Sequence, residues 1–99
     1  MPRLEFSDEA RATLQSLAGD PSQANRIKAI RAALGKLETN VRHPGLNTHL
    51  FKGEKCPHGE KLWESYAQNN TPGAYRVFWC YIPAPAKDMI LIVAITPHP

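Results

Sequence analysis

The chain has 99 residues, of which 42% are hydrophobic, and a formal net charge of +3. That length allows one domain, residues 1–99, with one sheet under one or two helices, and that hydrophobic fraction excludes a disordered chain. The longest aliphatic run, Met89 to Ile95, is far too short for a membrane helix, and the opening MPRLEFSDEA holds no apolar stretch that would read as a secretory signal.

In chain order, Arg3-Leu4-Glu5-Phe6 alternates polar and apolar residues and predicts a short strand. Ser7 is placed to cap a helix whose first turn holds Asp8 and Glu9, where the helix dipole favours negative charge. Ala10, Leu14 and Leu17 recur on one face of it. Gly19-Asp20-Pro21 ends that helix, and Ser22 is expected to cap the next. There Ala24, Ile27, Ile30, Leu34 and Leu37 form an apolar stripe, with Lys28 and Lys36 pointing away. So short a turn predicts an antiparallel helical hairpin. After a loop at Arg42-His43-Pro44-Gly45 comes an extended segment around Thr48 to Lys52, then a turn over residues 53–59. Lys61 to Ala67 is a predicted strand, Gln68 to Gly73 a polar turn, and Ala74 to Ile82 an aromatic and β-branched strand. Residues 83–88 form another turn, and Met89 to Thr96 an aliphatic strand. The class is α+β, strand-helix-helix-strand-strand-strand, with the hairpin covering one face of a mainly antiparallel sheet.

Two cysteines, Cys56 and Cys80, do not make a disulfide framework, and without an export signal they point to a reducing, cytoplasmic setting. Cys56-Pro57-His58 with His49, Cys80 or His98 could assemble four zinc ligands, but the spacing matches no standard zinc pattern. No metal or other cofactor is expected. Cys80, in an aromatic strand, reads as core.

Three segments carry a resemblance. Leu50-Phe51-Lys52-Gly53 resembles the Leu-Lys-Gly segment that follows the hairpin in the RelE/ParE superfamily of toxin–antitoxin toxins. Lys61-Leu62-Trp63-Glu64, with Ala74-Tyr75-Arg76-Val77-Phe78-Trp79, resembles that superfamily's "Leu-Trp/Tyr-Glu … Tyr-Arg-Val" strand pair. Ile90 to His98 resembles its closing strand, which ends in a basic or imidazole residue. The resemblance spans nearly the whole chain as an order of elements. It implies the superfamily's fold, a cognate antitoxin as partner, and ribosome-dependent endoribonuclease activity on mRNA. Where nuclease members often carry Arg or Lys on the first strand of the pair, this chain has Glu64-Ser65-Tyr66. The ParE branch shares the fold without the nuclease residues and inhibits DNA gyrase by binding it, which gives a non-catalytic alternative.

Metal-free RNA cleavage needs a base for the 2′-hydroxyl, a cation for the phosphorane and an acid for the leaving 5′-oxygen. Arg76, inside an apolar strand, is the candidate cation. Its residue-level reading is a partner for Glu64 on the neighbouring strand, and the resemblance adds the phosphate role. Replacing it is expected to slow the chemistry and spare the fold. His98, held between Pro97 and Pro99, is the candidate acid by the same resemblance; a frayed tail is the other reading. Glu64 and His49 are both candidates for the base. Tyr66 could orient the base or stack on a nucleobase. Lys52, Lys55 and Lys61 are candidate phosphate contacts, or solvated lysines. Alternation gives Leu62, Glu64 and Tyr66 one face and Arg76, Phe78 and Cys80 one face. If the two faces coincide, Glu64, Tyr66 and Arg76 converge.

Overall fold

A computed structural model of the chain describes residues 3–57, 59–82 and 89–97. Strand β1 (Arg3–Phe6) leads through Ser7 into helix α1 (Asp8–Ala18). The Ser7 hydroxyl accepts from the Ala10 N–H and donates to the Val93 carbonyl at 2.6 Å, so one side chain both caps the helix and ties it to the sheet. A 3-10 turn (Pro21–Gln23) joins α1 to helix α2 (Ala24–Thr39). A second 3-10 turn (Pro44–Leu46) then leads to strands β2 (His49–Lys55), β3 (Lys61–Tyr66), β4 (Tyr75–Tyr81) and β5 (Met89–Pro97).

The five strands form one sheet in the order β1-β5-β4-β3-β2. β1 runs parallel to β5, with Leu4 opposite Ile90, and every other pair is antiparallel. The α+β architecture expected from the helical stripes and the later strand patterns is therefore the one formed. α1 packs over β5, and α2 over β4. Beneath them Val77, Trp79, Ile90, Ile92 and Ile95 meet Leu17, Ile27, Ile30, Leu34 and Leu37, all buried. Among the described residues the buried polar residue facing this core is Ser65, and it is satisfied: its hydroxyl takes the Trp79 indole N–H at 2.8 Å and lies 2.7 Å from the Thr48 hydroxyl. The even-numbered residues of β4, Arg76, Phe78 and Cys80, face the opposite side. Phe78 and Cys80 pack there with Cys56 and Leu62 in a second, smaller cluster.

Four local expectations change. Leu14 is half-buried, and Ala24 is exposed because the core-facing stripe of α2 starts a turn later, at Ile27. Asp20, not Ser22, is the capping residue before α2. Its Oδ1 accepts from both the Ser22 N–H (3.0 Å) and the Ser22 hydroxyl (2.7 Å), and the N-cap position of α2 itself, Gln23, makes no side-chain cap. β2 runs on through the expected turn to Lys55, because Gly53 adopts φ 95° and absorbs a pairing irregularity between Leu50 and Lys55. Finally, Cys56 and Cys80 are joined in a disulfide with Cα atoms 6.6 Å apart, contrary to the two free thiols expected. The cause is tertiary: the turn after β2 folds back onto the β4 face that carries Cys80, a meeting that a 24-residue spacing does not announce.

Candidate functional site

The β3–β4 register sets Tyr66 opposite Arg76 and Glu64 opposite Phe78. Because opposed residues share a face, Glu64, Tyr66 and Arg76 do converge, on the side of the sheet away from the helices. His49, opposite Glu64 on β2, joins them. Its Nε2 lies 2.7 Å from Glu64 Oε1, and Arg76 Nε lies 3.8 Å from Glu64 Oε2. The Arg76 guanidinium also sits flat over the Tyr66 ring, 3.7 Å from its centroid, and the His49 ring meets the edge of Tyr66 at 6.0 Å. A chain of charge thus runs from His49 through Glu64 to Arg76, with Tyr66 as its wall.

Access differs sharply along this chain. The Glu64 side chain is 3% exposed and that of Arg76 8%, whereas His49 is 48% exposed. Glu64 therefore holds its neighbours, and His49 is the member that can meet a substrate. The His49 Nδ1 rests 3.0 Å from the Asn47 carbonyl, so the ring is gripped at both nitrogens. Asn47 itself takes the left-handed conformation, φ 48°, at the end of the second 3-10 turn, which aims that carbonyl. Arg76 Nη1 donates to the Gln68 carbonyl at 2.5 Å, and Nη2 has no protein partner among the described residues. One hand of the fork is spent on the fold and one is available for an anion.

This burial corrects the expectation that Arg76 can be removed without cost to the fold. The residue-level reading of Arg76 as partner of Glu64 and the phosphate-binding reading describe the same atoms. Tyr66 has one ring face covered by the guanidinium and is itself half-buried. Lys52, Lys55 and Lys61 are all exposed, and Lys55 stands directly opposite Lys61 across β2 and β3, an unfavourable like-charge pair that an anion would relieve. His98 and His58 lie outside the described residues. β5 ends at Pro97, opposite Tyr75 and one residue pair from Arg76.

Sequence reading missed Gln68 and Asn47, whose backbone carbonyls orient the Arg76 guanidinium and the His49 ring. Nothing in a polar turn distinguishes the residue whose carbonyl will be used. A hollow of about 520 Å³ lies elsewhere, on the helix side between the end of α2 and β3–β4, with Arg42, His43, Trp63 and Trp79 in its walls. The face that carries His49, Glu64 and Arg76 has a shallower trough of about 270 Å³ beside them, lined by Phe51, Leu62, Phe78 and Val93.

No protein-family model matches the chain, and no curated protein matches it in sequence. In three dimensions it is similar to a solved structure, the YoeB dimer from Staphylococcus aureus. The TM-score is 0.68 at 12% identity, and the match covers 99% of this chain and 98% of that one. The fold is RelE/YoeB-like. At that identity the likeness speaks for the backbone alone. The chemistry must be argued from the side chains that this backbone places on its helix-free face. Among the described residues no helix is long and apolar enough to cross a membrane.

Proposed function

We propose that this chain is a toxin of the RelE/YoeB kind that cleaves mRNA on the ribosome and is held in check by a cognate antitoxin. The observation that supports this reading best is the run His49–Glu64–Arg76 beside Tyr66 on the helix-free face. In the proposed mechanism Glu64 holds the Nε2 edge of His49. The acting form is the neutral tautomer that donates Nε2–H to Glu64; its unprotonated Nδ1 turns from the Asn47 carbonyl, which can only accept, to the incoming 2′-hydroxyl and takes the proton there. Arg76 presents Nη2 to the phosphorane, where charge develops. His98 protonates the leaving 5′-oxygen. Tyr66 and the adjoining apolar trough receive a base, and Lys52, Lys55 and Lys61 contact backbone phosphate. The chemistry uses the 2′-hydroxyl as nucleophile, so the products carry a 2′,3′-cyclic phosphate (or the 3′-phosphate from its hydrolysis) and a 5′-hydroxyl. The setting is cytoplasmic.

The test is to express wild type, His49→Ala and Arg76→Ala without antitoxin and map mRNA ends. Cleavage with those termini in wild type, lost in both variants, supports the assignment. A specific observation favours a second reading: Arg76 and Glu64 are buried, as a purely structural ion pair would be. On that reading the chain is a ParE-like toxin that binds DNA gyrase without cleaving anything. Toxicity without new mRNA ends, persisting in the His49→Ala variant, would establish it in place of the nuclease.

A further inference from the structure

Away from His49 and Arg76, the helix-free face carries a second group of reactive side chains. Cys56, Glu60 and Cys80 bring one ligand atom each to within 4.8 Å of one another. The local backbone accounts for two of the three. The Cys56 N–H donates to the Glu60 carbonyl at 2.9 Å, and the Gly59 N–H donates to the Cys56 carbonyl at the same distance. Gly59, at φ 90°, allows a turn this tight and sets Cys56 and Glu60 side by side. β4 supplies Cys80 from the middle of the sheet, fully buried, and Cys56 is 4% exposed.

Glu60 Oε1 is the telling atom. It is buried, and among the described residues it has no hydrogen-bond partner. Buried carboxylate oxygens are nearly always satisfied, and this group lies within 4.8 Å of two sulfurs that, once joined, have nothing to offer it. A cation between the sulfurs and Oε1 would satisfy all three. Two thiolates select a soft or borderline metal over calcium or magnesium, and two sulfurs with one carboxylate leave one tetrahedral position for water or a fourth ligand.

We propose that Cys56, Cys80 and Glu60 are a zinc site in the reduced protein, and that the Cys56–Cys80 disulfide is the oxidised state of that same site. The interchange balances with a peroxide as oxidant. Two zinc-bound thiolates give two electrons to hydrogen peroxide and join as the disulfide, two protons are taken up, and Zn²⁺ and two waters are released. A dithiol reductant runs the sulfur step backwards and restores the ligands. Either state tethers the end of β2 to the central strand β4. That matters because β2 is regularly paired only near His49 and Leu50 and again at Lys55. The site is independent of the proposed nuclease chemistry and is tested without it.

The experiment reduces the full chain with a phosphine under anaerobic conditions, removes the phosphine, and titrates first Co²⁺ and then Zn²⁺. The expected result is one ion per chain, with thiolate-to-cobalt charge-transfer absorption that zinc abolishes. Zinc should also shield both cysteines from alkylation, read by mass spectrometry on the unsubstituted protein. The disulfide form should bind no metal. Glu60→Gln, which keeps shape and both thiols, should weaken zinc binding by at least ~10-fold. Hydrogen peroxide added to the zinc-loaded chain should release one zinc per disulfide formed. Reduced protein that binds no metal, whether folded or not, overturns the proposal. So does an affinity unchanged in Glu60→Gln, which would leave a bare cysteine pair, and so does zinc release without disulfide formation.

Discussion

The two faces of the sheet are built on opposite principles. The face under the helices is apolar but for Ser65 among its described buried residues, and Ser65 has both a donor and a hydroxyl partner. The open face buries a glutamate and an arginine together, with Glu64 Oε2 and Arg76 Nε 3.8 Å apart, longer than a hydrogen bond. Buried charges cost several kcal/mol each in desolvation, and only good geometry with further hydrogen bonds returns it. The covered face therefore holds the fold together, while the open face keeps charge in place at some expense to stability. Expense of that kind is typical of surfaces kept for chemistry or recognition.

The comparison breaks first at Arg76. Arg76→Ala should lower mRNA cleavage by ~10²–10⁴-fold and, by taking a guanidinium from beside buried Glu64, destabilise the chain by about 3–5 kcal/mol, measured by urea titration beside the cleavage assay. The double variant Glu64→Gln, Arg76→Met separates the two effects. It should regain most of the stability and none of the activity. If it recovers cleavage as well, the open face is not where the chemistry is done. On the covered face, Leu37→Ala removes a side chain with no exposure and should cost about 2–5 kcal/mol, while cleavage per folded molecule stays at the wild-type rate. A selective loss of activity there would mean the two faces are coupled.

Most of the covered face was legible in the sequence. The stripe Ile27, Ile30, Leu34, Leu37 and the aromatic density of β4 follow from periods of 3.6 and 2, which burial imposes directly. The meeting of Glu64, Tyr66 and Arg76 was legible only as a condition, because alternation gives faces and not register. The register that decides it, Tyr66 opposite Arg76, lies between β3 and β4, and nothing in the intervening turn announces it. His49 was readable as a reactive type but not as Glu64's partner, since the pairing crosses two strands. The Cys56–Cys80 contact was unreadable for the same reason: sequence separation carries no information about which turn folds over which strand.

Smaller effects test the seams between the faces. Ser7→Ala removes the cap on α1 and the bond to the Val93 carbonyl together, and should cost about 1–2 kcal/mol, seen as a lowered melting temperature with cleavage intact. The smallest effect belongs to Asp20, on neither face. Its hydrogen bonds from the Ser22 hydroxyl and N–H hold its carboxyl below the usual value of 3.8. A depressed carboxyl pKa stabilises the fold above the unfolded value, and that contribution is lost as pH falls through the folded one. Stability curves of wild type and Asp20→Asn should accordingly converge in strong acid and separate slightly above pH 4. Curves that run parallel throughout would remove Asp20 from the account.

The parallel pairing of β1 with β5 has a kinetic consequence. β1 has as its sheet partner β5, nearly ninety residues later, with Arg3 beside Met89. Loop-closure entropy makes such a contact slow to form, and chains dominated by contacts of this span fold late and cooperatively. During synthesis β1 and the hairpin emerge first, but β5, on which α1 rests, comes only after β4 has left the exit tunnel. Until then the apolar face of α1 has no floor and Arg76 no neighbour on its β5 side. The packing around Arg76 is therefore completed only once β5 has joined the sheet.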